Sequence, residues 1–215
     1  MAAFWSALMG YLIGCINPSY LIAKYNGFDI RDRGSGNAGA SNAVITMGKK
    51  VGAFSAVFDI VKAYASVKLA AILFPAFALA AEVAGVFCIL GHIFPVSMHF
   101  HGGKGLACLG GVILGFSAPL FIVLLSVEIL LALIVDYICI VPITASIIFP
   151  MIYFIFTHNV GGTLLLSVAS AVILFKHLEN INRIRKGTEA HLSFLWKRDE
   201  EIRRVQENKV DHHES

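Results

Sequence analysis

Long apolar stretches separated by short polar segments occupy the chain from its start to about residue 176. Residues 4–23, 121–135 and 138–156 approach or reach the ~20 apolar residues that a helix needs to cross a ~30 Å hydrocarbon core. Residues 51–74 and 77–96 form two further runs of this kind. The pattern therefore predicts an all-α integral membrane protein.

The apolar region between Lys104 and Lys176 contains three interruptions, at Pro119, at residues 136–142 and at residues 159–162. Two ordinary spanning helices would leave a long apolar remainder in water, so we expect four shorter helices there, some of them tilted or partly re-entrant. Together with the three earlier runs this predicts a polytopic bundle of seven transmembrane helices. Five crossings are the alternative.

The basic residues set the orientation. Lys and Arg are concentrated between Lys24 and Lys50 and again from Lys176 onward, and none lies between Lys104 and Lys176. The positive-inside bias places both clusters in the cytoplasm, with the N-terminus outside and the C-terminus cytoplasmic. No Lys or Arg precedes Lys24, so the first span lacks the basic start of a secretory signal and is expected to be retained.

Composition agrees with this class of protein. The 215 residues are 57% hydrophobic and 14% charged, against about 25% charged in soluble domains. One transmembrane domain is predicted over residues 1–190, with three cytoplasmic motif loops, followed by a polar cytoplasmic tail at residues 191–215. The four cysteines lie in apolar stretches without metal-ligand spacing, so they are expected to be packing thiols.

Three polar segments meet at the predicted cytoplasmic face: GSGNAGASN (residues 34–42), HFHGGKG (99–105) and HLENINRIRKGTE (177–189). The second has Gly102, Gly103, Lys104 and Gly105 at the start of a helix. Glycines allow backbone N–H groups to turn inward, and the helix start and the lysine add positive charge, which suits a phosphate. The alternative is a tight helix connection with an interfacial lysine.

The first and third segments carry the same kind of chemistry. Around Gly36, the side chains of Ser35, Asn37 and Asn42 can donate to an anion or an acyl carbonyl, although they could also cap a helix. In the third segment His177 and Asn180 share one helix face, where they can hold a phosphate or a hydroxyl. Arg185 and Lys186 are expected at lipid headgroups.

Charged residues also lie within the predicted spans. Asp59 and Lys62 share a helix face and are expected to pair with each other in a supporting role. Glu82, Glu128 and Asp136 have no evident partner in the sequence.

With these residues in view, the chain resembles the bacterial acyl-phosphate:glycerol-3-phosphate acyltransferases, the PlsY type. The resemblance rests on the three segments above, with the second extended to GHIFPVSMHFHGGKGLA (residues 91–107), and covers nearly the whole chain. It implies a seven-span enzyme that transfers a fatty acyl group from acyl phosphate to the 1-hydroxyl of sn-glycerol 3-phosphate. The products are lysophosphatidate and phosphate. The H-x-x-x-x-D motif of other glycerolipid acyltransferases is absent from this sequence.

The resemblance also implies partners and location. They are acyl phosphate, glycerol 3-phosphate and membrane lipids, with no nucleic acid, no cofactor and no metal, in a monomer of the bacterial cytoplasmic (inner) membrane. The substrate-binding residues it implies are Gly36, Gly102, Gly103, Lys104, Gly105, Arg183 and Glu189, the last also anchoring the third segment. The catalytic residues it implies are Ser35, Asn37, Asn42, His177 and Asn180. Either His177 or the substrate's own phosphate takes the proton.

One departure from the family pattern concerns Ile45, which stands where the family usually has an arginine. Its loss removes a phosphate donor, for which Lys49 or Lys50 are the candidates to compensate. A paralogue that acylates another phosphorylated alcohol is therefore an alternative. A transporter is a more distant alternative, because transport predicts polar residues throughout the midplane rather than at one face.

Overall fold

The structure, a computed structural model, describes residues 1–189, 191–195, 197, 200 and 203, and these contain helices and no strands. The predicted tail lies mostly outside the described residues. The α-helices are α1 (Ala2–Gly14), α2 (Pro18–Tyr25), α3 (Ala40–Met47), α4 (Lys49–Leu73), α5 (Ala80–Ile93), α6 (Leu106–Phe116), α7 (Ala118–Val135), α8 (Ile140–Thr157) and α9 (Val160–Arg185). Short 3₁₀ turns occupy Ile30–Asp32, Val96–Met98 and Leu192–Leu195.

The three predicted interruptions after Lys104 are confirmed. Helix α7 begins after Ser117, whose hydroxyl accepts from the Leu120 N–H, and carries Pro119 in its first turn. It ends at Asp136, which has a left-handed φ of 60°. Asn159 caps the start of α9 by accepting from the Gly162 N–H. The breaks at Ser117 and Asn159 thus follow from proline and from side chains that replace missing helical hydrogen bonds.

The first predicted span is not one continuous helix. It breaks after Gly14, and α1 and α2 meet at an angle of 40°. Asn17 starts α2 by accepting from the Tyr20 N–H, with Pro18 at the first helical position. The carbonyls that the break leaves without helical partners are bound by Lys62 of α4, whose Nζ lies 3.0 Å from Gly14 O and 2.5 Å from Ile16 O. Backbone groups freed inside a membrane need such a partner.

In the described part of the chain, length and composition identify four helices able to cross a membrane: Ala80–Met98, Ala118–Val135, Ile140–Thr157 and Val160–Arg185. The bent pair of α1 and α2 makes a fifth if it is one span. Helix α4 is long, with 25 residues, but carries charged side chains, and α6 has only 11 residues.

Small residues bring α1 and α5 into backbone contact. A Cβ on Gly10 would lie 2.2 Å from Ala84 O, and a Cβ on Gly14 would lie 2.2 Å from Cys88 O. On the facing helix, a Cβ on Gly91 would lie 2.2 Å from the carbonyl oxygen of Tyr11. The sequence G-x-x-x-G at residues 10–14 is the pattern that permits such close helix packing in membranes.

A second G-x-x-x-G pattern, Gly111 and Gly115, packs α6 against α4. A Cβ on Gly111 would lie 2.2 Å from Ile60 O, and one on Gly115 would lie 2.8 Å from a Val67 side-chain carbon. The largest buried apolar cluster joins these helices to α5, α8 and α9 around Phe149. Helices α1, α4, α5 and α6 are therefore the ones that glycines bring into close backbone contact.

Glu82 and Glu128, for which the sequence offered no evident partner, each accept a hydrogen bond in the structure. Glu82 accepts from the Tyr153 hydroxyl and, at 3.4 Å, from Asn159 Nδ2. Glu128 accepts from the Thr144 hydroxyl at 2.7 Å. The Glu82 contacts join the start of α5 to the α8–α9 turn, at the end of the bundle opposite the three polar segments, which we call the far end.

Candidate active site

The first polar segment is folded around the side chain of Asn42, which is completely buried. Its Nδ2 donates to the carbonyl oxygens of Ile30, Arg33 and Asn37 at 2.9, 3.0 and 2.8 Å. Its Oδ1 accepts from the Ser35 N–H at 2.8 Å. Both ends of the amide are therefore used to shape the loop.

Glycines make this loop possible. Gly34 and Gly36 have φ values of 60° and 74°, and a Cβ on Gly34 would lie 2.2 Å from Asn42 Oδ1. The Gly36 N–H donates to Arg33 O at 3.1 Å. Among the described residues, the Ser35 hydroxyl and the Asn37 side-chain amide have no hydrogen-bond partner, and both residues are only partly buried. These two side chains are therefore available as donors.

In the second polar segment the glycine N–H groups are already engaged. The Gly102 N–H donates to Ile93 O at 3.0 Å, and the Gly103 N–H donates to His92 O at 3.1 Å. A Cβ on Gly103 would lie only 2.1 Å from His92 Nε2. We expected these N–H groups to point toward a phosphate. In the structure they bind backbone carbonyls instead, and the absence of a side chain at Gly103 lets the turn pack closely on His92. Gly105, with φ of 92°, precedes α6.

Lys104 links the second segment to the third. Its Nζ donates to Asn180 Oδ1, and Asn180 Nδ2 donates to Glu189 Oε1 at 2.7 Å. Burial lowers the pKa of the Lys104 ammonium, although Glu179 and Glu189 act in the opposite direction. Burial also raises the pKa of the Glu189 carboxyl. Lys104 has no other hydrogen-bond partner among the described residues, so two of its three N–H bonds remain available.

His177 lies one helical turn before Asn180 on α9, and both side chains are buried, as the predicted shared face requires. His177 Nδ1 lies 2.8 Å from Ile173 O. Because a carbonyl only accepts, Nδ1 carries the proton, and Nε2 of the neutral ring is left as an acceptor. His177 can therefore receive a proton at Nε2.

Arg183 forms the turn that follows α9. Its guanidinium contacts Glu179, and its carbonyl oxygen accepts from the N–H groups of Thr188 and Glu189 at 2.8 and 3.2 Å. The turn carries Glu189 back to Asn180.

The first and second segments are joined by residues that the sequence analysis missed. Arg31 Nη1 donates to Met98 O at 2.8 Å, and Met98 is fully buried in one cluster with Ala38 and Ala43. Arg31 also pairs with Asp29 and holds the pKa of that carboxyl at about 2. The three polar segments therefore lie side by side at one end of the bundle, which we call the motif end.

Comparison with known proteins matches most of the chain to one family. Residues 4–187 match the family described as glycerol-3-phosphate acyltransferase. A glycerol-3-phosphate acyltransferase of Thermoanaerobacter sp. (strain X514) is 34% identical over 193 residues, which cover 89% of this chain and 96% of that protein.

Two solved structures are also similar. The crystal structure of PlsY, an integral membrane glycerol 3-phosphate acyltransferase, in its glycerol 3-phosphate form has a TM-score of 0.84 at 32% identity, covering 91% of this chain and 98% of that one. Its lysophosphatidic acid form has a TM-score of 0.80 at 31% identity, covering 89% and 95%. The chain belongs to the glycerol-3-phosphate acyltransferase family.

Proposed function

We propose that this protein transfers a fatty acyl group from acyl phosphate to the 1-hydroxyl of sn-glycerol 3-phosphate, forming lysophosphatidate and releasing phosphate. The observation that carries the proposal is the hydrogen-bonded chain from Lys104 through Asn180 to Glu189, with His177 one turn away. In this arrangement the Lys104 ammonium and the His177 ring lie at the motif end, as does the first polar segment, which supports the proposal. The glycerol 3-phosphate and lysophosphatidic acid forms of PlsY support the choice of acceptor and product.

The chemistry requires little from the protein beyond alignment and charge. The acceptor hydroxyl attacks the carbonyl carbon of the mixed anhydride, a C–O bond forms, and the bond to phosphate breaks with its electron pair leaving on phosphate. Lys104 neutralises phosphate charge, and alignment of the two substrates supplies much of the acceleration. The hydroxyl proton passes to His177 Nε2 or to a substrate phosphate, so no acyl-enzyme is needed.

The remaining candidate residues divide into donors and positioning residues. Ser35 and Asn37, whose side chains are not used inside the loop, donate to the departing phosphate or to the developing oxyanion. Asn42 and Gly36 maintain the shape of that loop. Gly102, Gly103 and Gly105 hold Lys104 in place by their close packing, and Arg183 forms the turn that returns Glu189.

We also propose seven crossings of the bacterial cytoplasmic membrane, with the N-terminus outside and the motif end in the cytoplasm. The direction of the helices supports this count. Helices α2, α5, α7 and α9 end at the motif end, where α4, α6 and α8 begin. The Lys and Arg clusters lie at the same end. Reporters fused after Lys50, after His101 and after Glu189 should all be cytoplasmic, and an external signal at the middle site would refute a shared site.

The direct test of activity uses protein purified in detergent with acyl phosphate, labelled glycerol 3-phosphate and a chelator, without coenzyme A. Lysophosphatidate should form, and the Ser35→Ala and His177→Gln variants should have a reduced kcat. A strict requirement for acyl-CoA would refute the donor assignment. Because Ile45 stands at the usual arginine position, other phosphorylated alcohols should be assayed in parallel. Acylation of one of these, with none of glycerol 3-phosphate, would favour the paralogue.

A further inference from the structure

A buried group of charged residues lies between the helices, outside the candidate site. Asp59 and Lys62 of α4 and His92 of α5 are each no more than 5% exposed. Lys62 Nζ lies 2.7 Å from Asp59 Oδ1 and 3.2 Å from His92 Nδ1, and His92 Nδ1 lies 3.3 Å from Asp59 Oδ1. We call these three residues the ion cluster. Charges inside a membrane protein are costly, which makes them candidates for a functional role.

The ion cluster does not fit a metal site. Asp59, His92 and Cys108 each place a ligand atom within 4.8 Å of the others. The ammonium of Lys62, however, already contacts both Asp59 and His92, and it occupies the position of a cation. Its positive charge would repel a metal ion there.

One side of the ion cluster leads to the first polar segment. Lys62 Nζ binds the carbonyl oxygens of Gly14 and Ile16, where the chain leaves α1. The next residue, Asn17, starts α2 and donates from Nδ2 to Ala38 O at 3.0 Å. Lys62 thereby fixes the point from which Asn17 holds the loop that contains Ser35 and Asn37.

The other side leads to Lys104. His92 Nε2 faces Gly103 at a distance that leaves no room for a Cβ, and the His92 carbonyl accepts from the Gly103 N–H. The next residue of this turn is Lys104. A displacement of the His92 ring would therefore displace this turn, and with it the Lys104 ammonium.

We propose that the ion cluster of Asp59, Lys62 and His92 is a positioning device, which sets the distance between the donors of the first polar segment and the ammonium of Lys104. The two connections above run through separate contacts and meet at the same buried ammonium. The inference rests on the proposed function, since it concerns how the two halves of that site are aligned. A displacement near 1 Å in such a site lowers turnover on the order of 10- to 100-fold.

Two variants test the two connections while the Asp59–Lys62 pair stays in place. Asn17→Ser retains a good helix cap but shortens the reach to Ala38 O. His92→Gln retains a hydrogen-bonding side chain next to Asp59 and leaves open space beside Gly103. The matched control is Ser66→Ala. Ser66 is fully buried, one turn after Lys62, and bridges the same α4–α5 interface through Ala84 O at 3.2 Å.

The measurements are kcat and KM for lysophosphatidate formation, together with the unfolding midpoint of each detergent-solubilised variant. Asn17→Ser and His92→Gln should lose kcat on the order of tenfold or more, while the unfolding midpoint and the amount of folded protein stay near wild type. Ser66→Ala should keep the wild-type kcat.

Three outcomes overturn the inference: unchanged kcat in both variants, a loss of activity that only follows a lowered unfolding midpoint, or an equal loss in Ser66→Ala. Failure of the proposed function is recognised separately, because wild type itself would then form no lysophosphatidate from acyl phosphate and glycerol 3-phosphate.

Discussion

Replacement of Gly103 by alanine tests whether close packing, rather than phosphate binding, is the reason for glycine in the second polar segment. The added Cβ would lie 2.1 Å from His92 Nε2, whereas ordinary contacts begin at 3.4 Å, so about 1.3 Å of movement is required. Such a movement of the ring would disturb the contacts that His92 Nδ1 makes with Asp59 and Lys62, now 3.3 and 3.2 Å. Overpacking of this kind costs about 1–3 kcal/mol.

If an overpacking energy of this size raises the activation free energy, it lowers kcat/KM roughly 5- to 150-fold. We expect both this loss and a lower unfolding midpoint in Gly103→Ala. The control is Gly110→Ala on α6, where the nearest atom to a new Cβ is a Phe121 ring carbon at 3.3 Å. In a double-mutant cycle, His92→Ala should remove most of the additional effect of Gly103→Ala. A Gly103→Ala protein that raises only the acceptor KM, with an unchanged unfolding midpoint, would refute the packing argument and restore the phosphate role.

The remaining predictions concern the acceptor, the pH profile and the helix contacts. Ile45→Arg should lower the acceptor KM roughly tenfold or more, since a charge-assisted hydrogen bond contributes about 1.5–3 kcal/mol; a variant with reduced activity would instead indicate that the new charge obstructs the site. Because burial lowers the pKa of Lys104, kcat/KM for glycerol 3-phosphate should fall as pH rises, at a pH below that of an ordinary lysine, and Lys104→Arg should remove this alkaline limb. An unshifted limb in Lys104→Arg would assign it to another group. Gly14→Leu should lower the unfolding midpoint, because its Cβ meets Cys88 O at 2.2 Å, whereas Leu12→Ala on the exposed face should not; equal midpoints would contradict the packing of α1 on α5.

Signals that act over a few residues were sufficient to predict some of the helix boundaries. Proline and capping side chains act within a few residues, so the breaks at Pro119 and Asn159 could be located from the sequence. The break at Asn17 and Pro18 carries the same signal, but it lies inside an apolar run long enough to cross a membrane, and there the length suggested one helix. The seven-span count remains a prediction.

Contacts between residues that are distant in the sequence could not be predicted in the same way. Asp59 and Lys62 are three residues apart on one helix, so their pairing could be predicted and is confirmed at 2.7 Å. His92 lies 30 residues from Lys62, on another helix, and in the sequence it stands among apolar residues and glycine. Only the packing of α5 on α4 reveals that it belongs with them.

In the third polar segment the sequence predicted which side chains share a helix face, and the structure adds how the Asn180 amide is oriented. Helical spacing placed His177 and Asn180 on one face, but it could not say which end of the Asn180 amide points where. The structure assigns Oδ1 to Lys104 and Nδ2 to Glu189, an orientation that Glu189 enforces, because a reversed amide would oppose its oxygen to a carboxylate. Lys104 is thereby held by one N–H bond, and two N–H bonds remain for the phosphate that we propose it binds, so binding need not break the contact that positions the cation. Pre-organisation of this kind is the feature most useful to an enzyme whose main task is to align two anionic substrates.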